Sequence, residues 1–130
     1  MDKVVHFEIP AENIERANKF YSDIFGWKIN KVPLVGGEEY CIANTVETDE
    51  KGMPKSPGAI NGGIMKKEGT GIYPVIVIKV ESIRQSIEKI KRSGCKTVMD
   101  IVPVGDFGLY ARFEDTEGNI MGIWQDVKKE

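Results

Sequence analysis

The chain writes nearly the same strand twice. Positions 62–65 read GGIM and positions 121–124 read MGIW, each with a bare glycine where a strand side chain would normally point inward. Repetition on this scale constrains a fold more than composition does. Each copy is one supersecondary unit that cannot bury its apolar face alone.

The copies extend far beyond four residues. In the first half KVVHFEI reads as a strand that Pro10 stops. NIERANKFYSDIFG follows as a helix capped by Asn13, with Ile14, Ala17, Phe20, Tyr21 and Ile24 on one face and Gly26 at its end. WKINKV, EYCIAN and AINGGIMK read as three further strands, joined by a GGEE turn and then by the charged stretch TVETDEKGMPKSPG. Its charge, glycine and prolines predict a mobile loop, open to protease after Lys51 or Lys55, and a candidate lid.

The second half repeats the order. YPVIVIKV is a strand, and SIRQSIEKIKRSG is a helix with a Ser82–Gln85 capping box, an inner face of Ile83, Ile87 and Ile90, and Gly94 at its end. CKTVMDIV, LYARFED and NIMGIWQ read as three more strands. Asn13 corresponds to Ser82 at an offset of 69, and Gly63 to Gly122 at an offset of 59. The longer third-to-fourth-strand loop of the first half absorbs the difference.

A four-stranded sheet with one helix leaves its second face uncovered. Two such sheets facing each other would cover it and enclose a cavity. The expected fold is therefore α+β: a single domain over 1–130 made of two βαβββ modules, roughly 1–67 and 72–127, whose mixed sheets form a cupped pocket.

Other features narrow the function. The net charge of −2 comes with no basic patch, so nucleic acid is not an expected partner. The longest apolar runs are too short to span a bilayer, and MDKVVHFEIP enters a strand pattern with no signal peptide. Cys41 and Cys95 have neither C-x-x-C nor zinc spacing and read as free thiols of a reducing cytoplasm. The final DVKKE reads as a solvated tail. DFG at 106–108 is not a kinase motif in so short a chain, and EGTG at 68–71 precedes a strand rather than the helix of a dinucleotide loop. With a single histidine, no Ser-His-Asp or Cys-His constellation stands out.

Three segments, VVHFEIP, ERANKFYSDIFGWKI and EDTEGNIMGIWQ, in this order and within the doubled arrangement, resemble the vicinal oxygen chelate superfamily of glyoxalase, bleomycin-resistance and extradiol-dioxygenase proteins. The resemblance covers nearly the whole chain and points to the small glyoxalase-like proteins of unassigned activity. It implies a small-molecule ligand and a homodimer. Metal-dependent members hold a divalent ion with a His or Glu on the first strand of each module and a Glu on the last strand of each. Carried over, those positions fall on His6, Val75, Gly63 and Gly122. One ligand of four remains, too few to offset the dehydration of a divalent ion, so neither metal nor cofactor is expected.

Strand alternation sorts the remaining candidates. If His6 faces the pocket, so do Val4 and Glu8. With Gly63 go Asn61 and Met65, and with Gly122 go Ile120 and Trp124. Tyr40 and Tyr110, on third strands, could offer hydroxyls to a ligand. The resulting pocket of His6, Glu8, Tyr40, Asn61, Gly63, Met65, Tyr110, Gly122 and Trp124 is mostly apolar with a few polar anchors, as small-molecule sites usually are.

Each position also has a plain reading. His6 is either a ligand contact or proton carrier, or a strand histidine satisfied by its neighbours. Glu8 is either a buried acid or base, or a strand end open to water. Met65 and Trp124 either contact a ligand or fill space, with the two glycines leaving room beside the indole. Two functions follow. One is a metal-independent binder of a small molecule, like the bleomycin-resistance branch. The other is a lyase, isomerase or dioxygenase acting on a small oxygenated metabolite, for which the family's electrophile is the metal. The three missing ligands favour the binder.

Overall fold

A computed structural model describes residues 1–33 and 39–127. Most of the expected GGEE turn, and Lys128–Glu130 of the expected tail, lie outside the described residues. The described chain runs β1 (Lys3–Ala11), α1 (Ile14–Phe25), β2 (Lys28–Pro33), β3 (Glu39–Asn44) and β4 (Asn61–Lys66). It continues as β5 (Val75–Lys79), α2 (Ile83–Arg92), β6 (Lys96–Val104), β7 (Gly108–Glu114) and β8 (Ile120–Asp126). This is the α+β order of strand, helix, three strands, twice over. Two compact units form, one of His6–Pro74 and one of Met1–Val5 with Val75–Glu130.

In the His6–Pro74 unit the strand order is β2-β3-β4-β1. The first two pairings are antiparallel and β4 lies parallel to β1. In the other unit the order is β5-β8-β7-β6, with β5 parallel to β8 and the remaining pairs antiparallel. The repeat holds residue by residue. Glu8 pairs with Gly63 as Val77 pairs with Gly122, and Tyr40 pairs with Met65 as Tyr110 pairs with Trp124.

The helix signals act at the atoms expected of them. Asn13 Oδ1 accepts from the Arg16 amide at 2.9 Å, and Gly26 takes the left-handed φ of 73° that a side chain would resist. Ser82 Oγ accepts from the Gln85 amide at 3.3 Å, while the Ile83 amide donates to Gln125 Oε1 at 2.9 Å, tying the start of α2 to β8. Ser93 caps α2 in right-handed geometry, and Gly94 one residue on carries the positive φ.

Each helix covers one face of its own strands. Ile14, Ala11, Cys41, Ala43 and Ile64 form one core, with Phe7, Ala17, Tyr21 and Trp27 packed on it. Val80, Ile83, Ala111 and Ile123 form the other, with Ile87 and Phe113. Three expectations change. Phe20 and Ile24 lie outside the α1 core face and are exposed; Trp27 stacks flat on Tyr21, ring centroids 4.8 Å apart, and closes that side. Pro10 does not stop β1, which pairs through Ala11 with Lys66: proline's φ suits an extended chain, and it interrupts a strand only where the ladder needs its N–H. The stretch after β3 is a built turn rather than an open loop. Thr48 bridges Pro54, and Asp49 Oδ1 accepts from the Lys51 and Met53 amides. Both cysteines are free thiols. No helix among the described residues is long and apolar enough to cross a membrane.

Candidate functional site

With one face of each sheet taken by its helix, the chemistry lies on the other. In the His6–Pro74 unit β4 runs between β1 and β3. The His6 imidazole on β1 and the Tyr40 hydroxyl on β3 nevertheless meet, Nε2 to Oη, at 2.8 Å. They meet over β4, and the residue that lets them is Gly63. A Cβ on Gly63 would run into the Tyr40 hydroxyl and ring carbon. The glycine that stands at a family ligand position is therefore covered by tyrosine. This corrects the expectation that the space beside it is open.

Glu8 follows His6 on the same face, in register with Gly63. It is 7% exposed and so is not a strand end open to water. Its surroundings act on His6. Burial pushes the His6 imidazole below its ordinary pKa, and the negative charge of Glu8 opposes that fall without reversing it. At neutral pH the ring is uncharged, with one nitrogen carrying a lone pair. Asn61, in register with His6, uses its Oδ1 structurally: it accepts from the Thr45 amide at 2.8 Å and the Val46 amide at 3.4 Å, while the Thr45 hydroxyl donates to the Ile60 carbonyl at 2.8 Å. Met65 is half-buried opposite Tyr40.

The other unit repeats the motif with different chemistry. A Cβ on Gly122 would stand 2.8 Å from the Tyr110 hydroxyl and 3.1 Å from Val77 Cγ2. Here too a tyrosine covers the glycine. Its hydroxyl accepts from Arg112 Nε at 2.8 Å, and the guanidinium lies 5.5 Å from the ring centroid. Arg112 is 7% exposed, a buried cation absent from the pocket expected on strand alternation. The signal was present in LYARFED: alternation puts Arg112 on the face of Tyr110, two residues away. Trp124 does not stand beside room left by the glycines. Its ring covers Gly108, where a Cβ would strike it, and its Nε1 donates to Asp126 at 2.7 Å. Lys79 also pairs with Asp126, at 2.5 Å, and holds that carboxyl below the usual range.

One unit thus gathers His6, Glu8, Tyr40, Asn61, Gly63 and Met65, and the other gathers Tyr110, Gly122 and Trp124 with the added Arg112. The donor set does not fit the divalent ion that the family resemblance implies. His6 supplies one imidazole, and Gly63 and Gly122, each covered by tyrosine, supply no donor. Val75 stands at the remaining position and is buried. Among the described residues no group of three or more His, Cys, Asp or Glu could hold a metal ion.

Comparison with known proteins agrees with this architecture. The family model of the Glyoxalase/Bleomycin resistance protein/Dioxygenase superfamily matches residues 3–123. A glyoxylase-like domain-containing protein of Didymella fabae is 34% identical over 122 residues, covering 89% of this chain and 88% of its own. A lactoylglutathione lyase of Haemophilus influenzae is 25% identical over 117 residues, covering 89% and 87%. The crystal structure of methylmalonyl-CoA epimerase from Mycobacterium tuberculosis superposes with a TM-score of 0.66 at 10% identity, over 96% of this chain and 88% of that one. That likeness concerns the fold.

Proposed function

The chain belongs to the Glyoxalase/Bleomycin resistance protein/Dioxygenase superfamily, and from that premise we propose that it binds a small oxygenated molecule at His6 and Tyr40 by hydrogen bonding rather than through a metal ion. One observation carries this reading: the Tyr40 hydroxyl stands over Gly63 and shares a hydrogen bond with His6. A metal carboxylate has no place there, whereas a hydroxyl and a neutral imidazole can each donate to or accept from a ligand oxygen. The test is NMR titration of the protein with hydroxyacetone, a neutral compound with two adjacent oxygens, following the His6 ring. Saturable shifts that disappear in Tyr40→Phe support the site; no shift at millimolar probe argues against it.

A second reading is an enzyme of the glyoxalase type. The observation that favours it is the depressed pKa of His6, which leaves an uncharged base in hydrogen-bond contact with a hydroxyl acid. Turnover of lactoylglutathione, named for the Haemophilus influenzae relative, is the assay. Activity that survives chelation and is lost in His6→Gln supports catalysis by this pair; absence of turnover leaves the binder. A homodimer is part of the proposal, on the family resemblance, and light scattering in solution checks it.

A further inference from the structure

Asn61 has a donor that the protein does not use. Its Oδ1 is fixed as the acceptor end of the amide, because it takes hydrogen bonds from the Thr45 and Val46 backbone amides. Turning the amide over would point its NH2 group at those donors. The Nδ2 end is therefore committed to its position, and there it is shielded from solvent with no hydrogen-bond partner among the described residues. An amide donor without an acceptor is expensive to bury, and such groups in native proteins mark an internal water or a functional contact.

The position of Asn61 separates these. It is in register with His6 on the adjacent parallel strand, on the face shared with Gly63, so its side chain lies beside the crossing of His6 and Tyr40. We infer that Asn61 Nδ2 is the specificity-determining donor of the small-molecule site and takes the carbonyl oxygen of the ligand. This rests on the reading that His6 and Tyr40 form that site. In the closed pair His6 and Tyr40 hydrogen-bond each other, and the ligand oxygen reaches Nδ2 when that mutual bond gives way to bonds from both groups to the ligand.

Asn61→Asp keeps an oxygen for the Thr45 and Val46 amides and removes the NH2 donor; because it also adds a carboxylate beside His6, the Asn61 NH2 signals of the 15N-labelled wild type are followed in the same titration. Hydroxyacetone binding, read from the His6 ring shifts, should weaken roughly tenfold or more, the effect of losing one hydrogen bond that leaves a group unpaired. The Thr45 and Val46 amide signals should stay in place. If Asn61→Asp does not fold, the side-chain NH2 signals of Asn61 in the 15N-labelled wild type decide. They should move on addition of hydroxyacetone in step with the His6 ring. Wild-type binding with unchanged affinity in Asn61→Asp, or with stationary Asn61 signals, overturns the inference and leaves the site standing. Asn61 signals that report only a bound water overturn it in the same way. No wild-type binding at all overturns the site and the inference together.

Discussion

Gly63→Ala is the substitution on which the geometry commits itself most. An alanine in a strand is ordinarily no worse than a glycine. Here the new Cβ falls on the Tyr40 hydroxyl and ring. The ring must leave, which breaks the 2.8 Å bond to His6 and forces repacking on that face. Losing the hydrogen bond costs about 1 kcal/mol and overpacking about 1–3 kcal/mol, a total of about 2–4 kcal/mol. With an unfolding entropy near 2.1 cal/mol/K per residue, a chain of this length loses about 4 °C per kcal/mol, so the melting temperature should fall by about 7–15 °C.

Gly122→Ala provides the internal comparison. Its Cβ stands 2.8 Å from a hydroxyl at the end of a side chain and 3.1 Å from Val77, so the neighbours need to give less and the fall should be smaller. Gly122→Leu carries more bulk into the same ring and should destabilise more than Gly122→Ala. The assay is thermal unfolding of Gly63→Ala, Tyr40→Ala and the double variant. In the Tyr40→Ala background the further change at 63 should cost almost nothing, because the obstructing ring is gone. A Gly63→Ala protein that melts within about 2 °C of wild type, or one whose loss Tyr40→Ala does not relieve, refutes the claim that tyrosine occupies the glycine's space.

Other expectations follow from single contacts. His6 has a lower pKa folded than unfolded, so its contribution is fully present above the unfolded value of about 6.5 and is lost as pH falls through the folded one; wild type should lose melting temperature relative to His6→Gln between about pH 7 and pH 5, and parallel curves contradict this. Zinc or nickel at about 1 mM should leave the melting temperature nearly unchanged, whereas a site with a Kd of about 10 μM would add about 2.7 kcal/mol, a rise of roughly 10 °C that would refute the misfit. Asn13→Ala removes the N-cap of α1 and should cost about 1 kcal/mol, read as a fall of about 4 °C. Asp49→Ala removes the acceptor that organises the turn after β3, so trypsin should cut after Lys51 or Lys55 faster than in wild type; equal rates would mean that the carboxylate does not hold the turn.

What could be read from the residues follows from which forces are local. Caps, turn glycines and strand alternation depend on neighbours within a few positions, so Asn13, Gly26, Ser82 and the order of elements were legible. The equivalence of Gly63 and Gly122 was legible because a repeat carries its register with it. What fills the place of a missing side chain is a different matter. It depends on a residue of the adjacent strand, and alternation says only that Tyr40 and Gly63 share a face, not that the ring lies across the glycine. The same holds for Trp124, whose ring reaches Gly108 on the adjacent strand. Alternation placed Arg112 on the face of Tyr110, but its burial was not legible, because a charged residue in a strand reads as solvent-facing and burial is set by packing that no local pattern reports.

The division of β1 has a consequence for how this protein is made. Its first residues, Lys3 to Val5, cluster with Val75–Glu130, and its remainder, from His6 on, with the other unit. The opening residues of this strand and the residues they group with thus lie far apart along the chain. A fragment of residues 72–127 lacks the three strand residues that group with it. Long sequence separation of this kind slows folding, because chain entropy must be lost before the contacts repay it.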